Sequence, residues 1–127
     1  MAKRKRKLKK KVVTCTKIER VVEKFLEELQ ADYKHDYPID RYRVDFLVNK
    51  KCIIECYGDY FHCNPTFYES SYFNKALGCL AQDKWSKDAN RQHILEGLGY
   101  QFIPIWETDI KKRPKVVKAI LKTIINQ

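Results

Sequence analysis

Two short apolar runs, Val44–Val48 and Cys52–Glu55, flank the polar turn Asn49-Lys50-Lys51. Each run holds one carboxylate where the pattern calls for an apolar side chain: Asp45 in the first, Glu55 in the second. The alternation reads as a β-hairpin with a three-residue loop. Pairing Val48 with Cys52 and stepping outward sets Asp45 opposite Glu55, and opposed residues of a hairpin have Cβ atoms roughly 4.5–5.5 Å apart. Two like charges that close, among apolar neighbours, are destabilising unless a proton or a cation lies between them. Carboxylate oxygens are the ligands Mg2+ prefers, so the hairpin is a candidate divalent-metal site. A two-residue turn would instead shift the register by one, set Asp45 opposite Ile54 and leave both acids facing solvent.

The rest of the chain supplies elements to pack on that hairpin. Thr16 to Ala31 is predicted to be an amphipathic helix, with Ile18, Val21, Val22, Phe25, Leu26 and Leu29 at three- and four-residue spacing. Thr16 as N-cap and Glu19 at the third helical position form a capping box. Asp32 to Arg41 is polar and tyrosine-rich, a loop or a short edge strand around Tyr33–Tyr37 broken by Pro38. Gly58 to Phe73 has no periodicity and is predicted to be a long aromatic-rich loop, of the length that in compact domains is usually functional or disordered. A helical pattern runs from about Asn74 to Leu98, in one piece or two, with Trp85, Ala89, Ile94, Leu95 and Leu98 apolar and with Gly97 and Gly99 as stop signals. Gln101–Trp106 is predicted to be a strand, and Pro104 requires it to be an edge or to carry a bulge. A last helix begins at Lys111–Pro114, with Val116, Val117, Ile120, Leu121, Ile124 and Ile125 as its apolar face and Lys115, Lys118 and Lys122 outside. The order implies an α/β fold, a mixed sheet flanked by helices.

Charge is distributed unevenly. The 127-residue chain carries a formal net charge of +10, and its first eleven residues contain eight Lys or Arg and no acid. We expect a flexible basic arm over residues 1–13 and one folded domain over residues 14–127. A mobile arm of this kind grips a polyanion, with Lys3, Arg4, Lys5, Arg6 and Lys7 as candidate phosphate contacts; an import-signal look-alike or a solubility tail is the alternative. No apolar run approaches the ~18–20 residues that cross a bilayer, and the basic start leads into no apolar signal region. The five cysteines then imply a reducing, cytoplasmic compartment. Cys52 and Cys56 stand four apart while Cys63 and Cys79 follow at irregular spacing, so no structural zinc is expected.

Three further polar residues could do chemistry. His62 follows Tyr60-Phe61 a few residues past the Glu55 strand, within a loop's reach of the acid pair, and an imidazole there can take a proton from water. Asp88, mid-helix among Lys84, Lys87 and Arg91, is either a surface ion pair or the carboxylate that orients His62. Tyr57 points to the same face of its strand as Glu55, where a phenol binds a phosphate or packs.

An acid, a spacer, then Glu-x-(usually Lys) on a second strand is the signature of the PD-(D/E)XK nucleases, and here it reads Asp45, then Glu55-Cys56-Tyr57, with Tyr57 in place of the usual Lys. The wider context is Val-Asp-Phe-Leu-Val, Ile-Glu-Cys-Tyr-Gly-Asp-Tyr-Phe-His-Cys, Lys-Asp-Ala-Asn-Arg, Leu-Gly-Tyr and Ile-Trp-Glu. From about Thr16 to Glu107 this resembles the very-short-patch-repair (Vsr) branch of that superfamily, and most of all its phage-borne homing-endonuclease relatives with the motif EDxHD. The resemblance implies a restriction-endonuclease-like mixed sheet and a Mg2+-dependent (or Mn2+-dependent) endonuclease acting on double-stranded DNA in a bacterial or phage-infected cell. It implies Glu19, Asp45, Glu55, His62 and Asp88 as catalytic residues, with Asp45, Glu55 and the Cys56 carbonyl as metal ligands. Tyr57, Lys84, Lys87 and Arg91 join the arm as expected DNA contacts. Positions that hold a structural zinc in the repair enzymes fall on residues such as Asp59 and Thr108, which cannot form it, and this favours the homing-type branch. An aromatic wedge, if any, would be Tyr60 or Phe61. The rivals are a weak or inactive DNA-binding accessory domain, favoured by Tyr57, and a repair or RNA-directed nuclease on the same scaffold.

Overall fold

The computed structural model describes residues 16–127; the expected basic arm, including Lys3, Arg4, Lys5, Arg6 and Lys7, lies outside the described residues. Four strands form the main sheet in the order β1-β2-β3-β6: β1 Tyr33–Ile39, β2 Tyr42–Val48, β3 Cys52–Tyr57 and β6 Gln101–Trp106. β2 runs antiparallel to both β1 and β3, and β6 lies parallel to β3, so the sheet is mixed, as expected. Val48 pairs with Cys52, which selects the three-residue turn over the two-residue one. Asn49 and Lys50 take left-handed conformations to close it. The Asn49 side chain also donates to the Ile125 carbonyl, tying the turn to the last helix.

Helix α1, Lys17–Glu28, starts as its capping box dictates: the Glu19 N–H donates to the Thr16 hydroxyl at 3.2 Å. Its buried stripe of Ile18, Val22 and Leu26 covers Phe46, Val48, Cys52, Ile54 and Ile105 on one face of the sheet. Val21, expected on that stripe, stays exposed. The same face receives α3, Glu107–Lys112, and α4, Pro114–Ile125. One last helix was expected; Arg113 parts two, and Pro114, with its preset φ, begins the second. Only Val117, Leu121 and Ile124 of α4 are buried, while Val116 and Ile120 face outward. The other sheet face buries Ile39, Val44, Leu47, Ile53, Tyr57 and Phe102 against Leu95 of α2, Ala81–Gly97.

Two boundaries differ from expectation. β1 continues through Pro38 to Ile39 and turns tightly into β2, and a proline is tolerated there because β1 is an edge strand. β6 is the other edge, as Pro104 required. The helix expected from Asn74 begins only at Ala81; Phe73–Asn74 (β4) and Cys79–Leu80 (β5) form a two-stranded ladder instead. Gly78, at φ +69°, closes that hairpin, and the buried Asn74 side chain holds it by donating to the Tyr60 carbonyl and accepting from the Leu77 N–H.

Candidate active site

Backbone pairing fails at one level of the sheet, and the site forms there. Between β1 and β2 the register runs unbroken except at Asp36 and Asp45, and Asp36 sits at φ +52° within its strand. Between β2 and β3 pairing ends at Phe46–Ile54. One step further out, carboxylates replace the ladder. The Asp45 N–H donates to Glu55 Oε2 at 3.0 Å, and the Cys56 N–H donates to Asp45 Oδ2 at 2.7 Å. The two acids of the central hairpin thus reach across the gap, each onto the opposite strand's backbone.

Burial makes this arrangement short of positive charge. Desolvation, followed by the charges of Glu55 and Glu19, pushes the Asp45 carboxyl up to about 8, against the opposing pull of the Cys56 N–H and Arg91. Desolvation also raises Glu55, while Arg91 and the Asp45 N–H act in the other direction. Arg91 reaches from α2 to bond Glu55 Oε1, donates to the Arg43 carbonyl at 2.6 Å and lies over the Tyr42 ring. Arg43 in turn grips the irregular residue of β1, bonding the Asp36 carboxylate and carbonyl at 2.8 and 2.7 Å.

His62 is brought to the same place by its loop. Its ring stacks flat on Tyr57, with centroids 4.0 Å apart and planes 4° from parallel, and lies edge-on to Trp106. Its Nδ1 is 2.8 Å from Asp88 Oδ2. Desolvation would raise Asp88, yet hydrogen bonds from His62 and Lys84 hold its carboxyl below the usual range. An ionised Asp88 accepts from Nδ1–H, which leaves Nε2 as the basic nitrogen of the neutral ring. The loop itself is fastened at its root. The Asp59 carboxylate accepts from Asn64 Nδ2 at 2.9 Å and from the Thr108 hydroxyl at 2.5 Å, while the Asp59 N–H donates to Glu107.

Glu19, Asp45, Glu55, Cys56, His62 and Arg91 line one cleft of about 310 Å3, together with Phe61. Asp88 stands behind His62 and beside Tyr57. Among the residues expected to touch DNA, Tyr57 is 7% exposed and forms the platform under His62, packed between that ring and Trp106. Lys84 is drawn inward onto Asp88 at 2.9 Å and Arg91 onto Glu55, whereas Lys87 is exposed. Tyr60 packs edge-on against Phe61 and Tyr68, while Phe61 is 57% exposed at the cleft.

Among the described residues, no three His, Cys, Asp or Glu side chains stand close enough to hold a metal ion by themselves. Two desolvated, mutually repelling carboxylates are nonetheless a donor set that suits Mg2+, which commonly binds through one or two carboxylates and completes its shell with water and substrate phosphate. Sequence reasoning missed His35, whose Nε2 is 3.1 Å from Glu19 Oε1, and missed that Arg91 neutralises Glu55. Neither contact follows a local spacing rule.

No protein-family model matches the chain, and neither does any curated protein. Among solved structures, the fold is similar to the catalytic domain of the homing endonuclease I-Bth0305I, at 24% identity and a TM-score of 0.57, over 84% of this chain and 92% of that one. No helix of the described residues is long and apolar enough to cross a membrane.

Proposed function

We propose that this chain is a divalent-metal-dependent endonuclease that hydrolyses DNA phosphodiester bonds, of the Vsr-like, homing type within the PD-(D/E)XK superfamily. The observation that carries the reading is the Asp45–Glu55 pair, a partly buried and a buried carboxylate bridging a broken ladder beside an imidazole already bonded to Asp88. The fold it shares with a homing endonuclease catalytic domain supports the same reading.

Asp45, Glu55 and the Cys56 carbonyl would hold Mg2+ or Mn2+, which supplies Lewis-acid polarisation of the phosphate and a more acidic water. The chain's own groups do the rest. His62 accepts a proton from the attacking water at Nε2, and Asp88 keeps Nδ1 protonated and stabilises the imidazolium that results. Tyr57 fixes the plane of that ring. Glu19, turned into the cleft from α1, orders water beside the acid pair. Arg91 stands where it can pass from Glu55 to a phosphate oxygen, a cation supplied from α2 although Tyr57 replaces the usual strand Lys. Lys87 on the exposed side of α2 and the basic arm contact the DNA backbone, which gives affinity that falls steeply with salt.

A second reading, a DNA-binding domain that keeps the fold without the chemistry, is favoured by Tyr57 and by the occupation of Glu55 by Arg91. Incubating plasmid DNA of random sequence with the chain, with and without Mg2+, separates the two. The nuclease reading expects Mg2+-dependent nicking or linearisation that Asp45→Ala abolishes. Retarded but uncut plasmid supports the second reading.

A further inference from the structure

A second imidazole–carboxylate pair borders the cleft through Glu19, on the opposite sheet face from His62 and Asp88. His35 of β1 pairs in register with Phe46, and the two rings stack with centroids 4.9 Å apart at 30°. The ring's Nε2 lies 3.1 Å from Glu19 Oε1. The two pairs follow one plan. An aromatic residue of the central hairpin, Phe46 or Tyr57, carries the ring, and a flanking helix, α1 or α2, supplies the acid.

Glu19 needs such a partner. It has three side-chain torsions and sits in the first turn of a helix, where a carboxylate is free to extend into water. Here its side chain is only 13% exposed, lines the cleft and lies close enough to Asp45 to raise that carboxyl's affinity for a proton. Turning one more negative charge toward two others is unfavourable unless a donor compensates. The only other side-chain donor on Glu19 among the described residues is the Thr16 hydroxyl, at a long 3.3 Å.

We infer that His35 is a positioning residue: its Nε2–H holds Glu19 turned into the cleft toward Asp45, and its own orientation is set by Phe46. The inference rests on the nuclease reading for its effect on cleavage, while the contact itself can be tested separately. His35→Phe keeps a ring on Phe46 and removes the donor; His35→Gln keeps a donor and removes the ring.

Two measurements on the full chain test it. The first is imidazole 15N NMR at alkaline pH. The wild type should show His35 as the Nε2–H tautomer, and Glu19→Ala should shift it toward the tautomer mixture of a free imidazole. A wild-type Nδ1–H tautomer, or a tautomer indifferent to Glu19→Ala, overturns the inference whether or not the chain cuts DNA. The second is single-turnover cleavage at saturating duplex DNA with Mg2+. His35→Phe should slow it about 10–100-fold, the range for losing the group that orients a site carboxylate or imidazole. DNA affinity should stay at the wild-type value, His35→Gln should recover most of the rate, and adding His35→Phe to Glu19→Ala should cost nothing more. Wild-type cleavage by His35→Phe, or full additivity of the two changes, overturns the inference. A chain that cleaves no DNA defeats the nuclease reading alone, and the NMR measurement still decides the contact.

Discussion

The two ends of the central hairpin are built on different principles. At the turn end, Val48–Cys52, Leu47–Ile53 and Phe46–Ile54 are all paired, and Phe46, Val48, Cys52, Ile53 and Ile54 are at most 1% exposed. At the open end, one residue further along, the ladder is gone, and the carboxylates of Asp45 and Glu55 take its hydrogen bonds. The first end contributes stability through apolar burial; the second gives up regular pairing to keep two charges close. A single step along the strand separates what folds the molecule from what we propose it does.

The largest expected effect that would break this contrast lies at the open end. Asp45→Ala should lower single-turnover cleavage by at least about 10³-fold, because the lost carboxylate removes several kcal/mol of transition-state stabilisation. Its melting temperature should change little, since removing a desolvated carboxyl set among other acids offsets the loss of the acceptor for the Cys56 N–H. His62→Ala should cost about 10²–10⁴-fold, the usual share of general-base catalysis, with DNA affinity intact. Ile53→Ala probes the turn end: chemical denaturation should report a loss of about 2–5 kcal/mol, while the folded fraction cleaves at the wild-type rate. If Ile53→Ala instead lowered the rate per folded molecule, the two ends would not be separable. Asp88→Asn should cost about 10–100-fold by releasing the His62 ring.

The smallest effect concerns pH. The folded Asp45 carboxyl titrates at about 8, above its unfolded value, because of burial and the charges of Glu55 and Glu19. Its contribution to stability is therefore complete below the ordinary carboxylate range and is lost as pH climbs through 8. The denaturation midpoint of the metal-free chain should decline between about pH 4 and pH 8. Asp45→Asn should flatten that decline, and Mg2+ should raise the midpoint more at pH 8 than at pH 5. Equal stabilisation by Mg2+ at both values would contradict binding at this acid pair.

How much of this was legible in the sequence follows from the range of each interaction. The register of β2 and β3 was readable because alternation and a short turn are local, and Asp45 and Glu55 broke that alternation visibly. The Thr16–Glu19 capping box was readable for the same reason. The ladder of Phe73–Asn74 with Cys79–Leu80 was not, because Ala76, Leu77 and Leu80 mimic helical spacing, and it is the buried Asn74 and left-handed Gly78 that decide against a helix. His62 and Asp88 are 26 residues apart, and no spacing rule joins a loop to the middle of a helix, so the residues alone left Asp88 open between a surface ion pair and the partner of His62. His35 and Glu19, and Arg91 and Glu55, became visible only in three dimensions, as pairs between elements that the sheet stacks on each other.

The root of the His62 loop has a consequence for how this molecule can change. Asp59, Asn64, Thr108 and Glu107 fasten the loop from within by short polar bonds, and the Trp85 indole adds another to the Cys63 carbonyl. None of these bonds uses Phe61, Phe67 or Phe73, each more than half exposed. Those outward rings are free to be exchanged by drift or by design without loosening the imidazole's anchorage. The exposed rim of the loop can be rewritten while the hold on the imidazole beneath it is inherited intact.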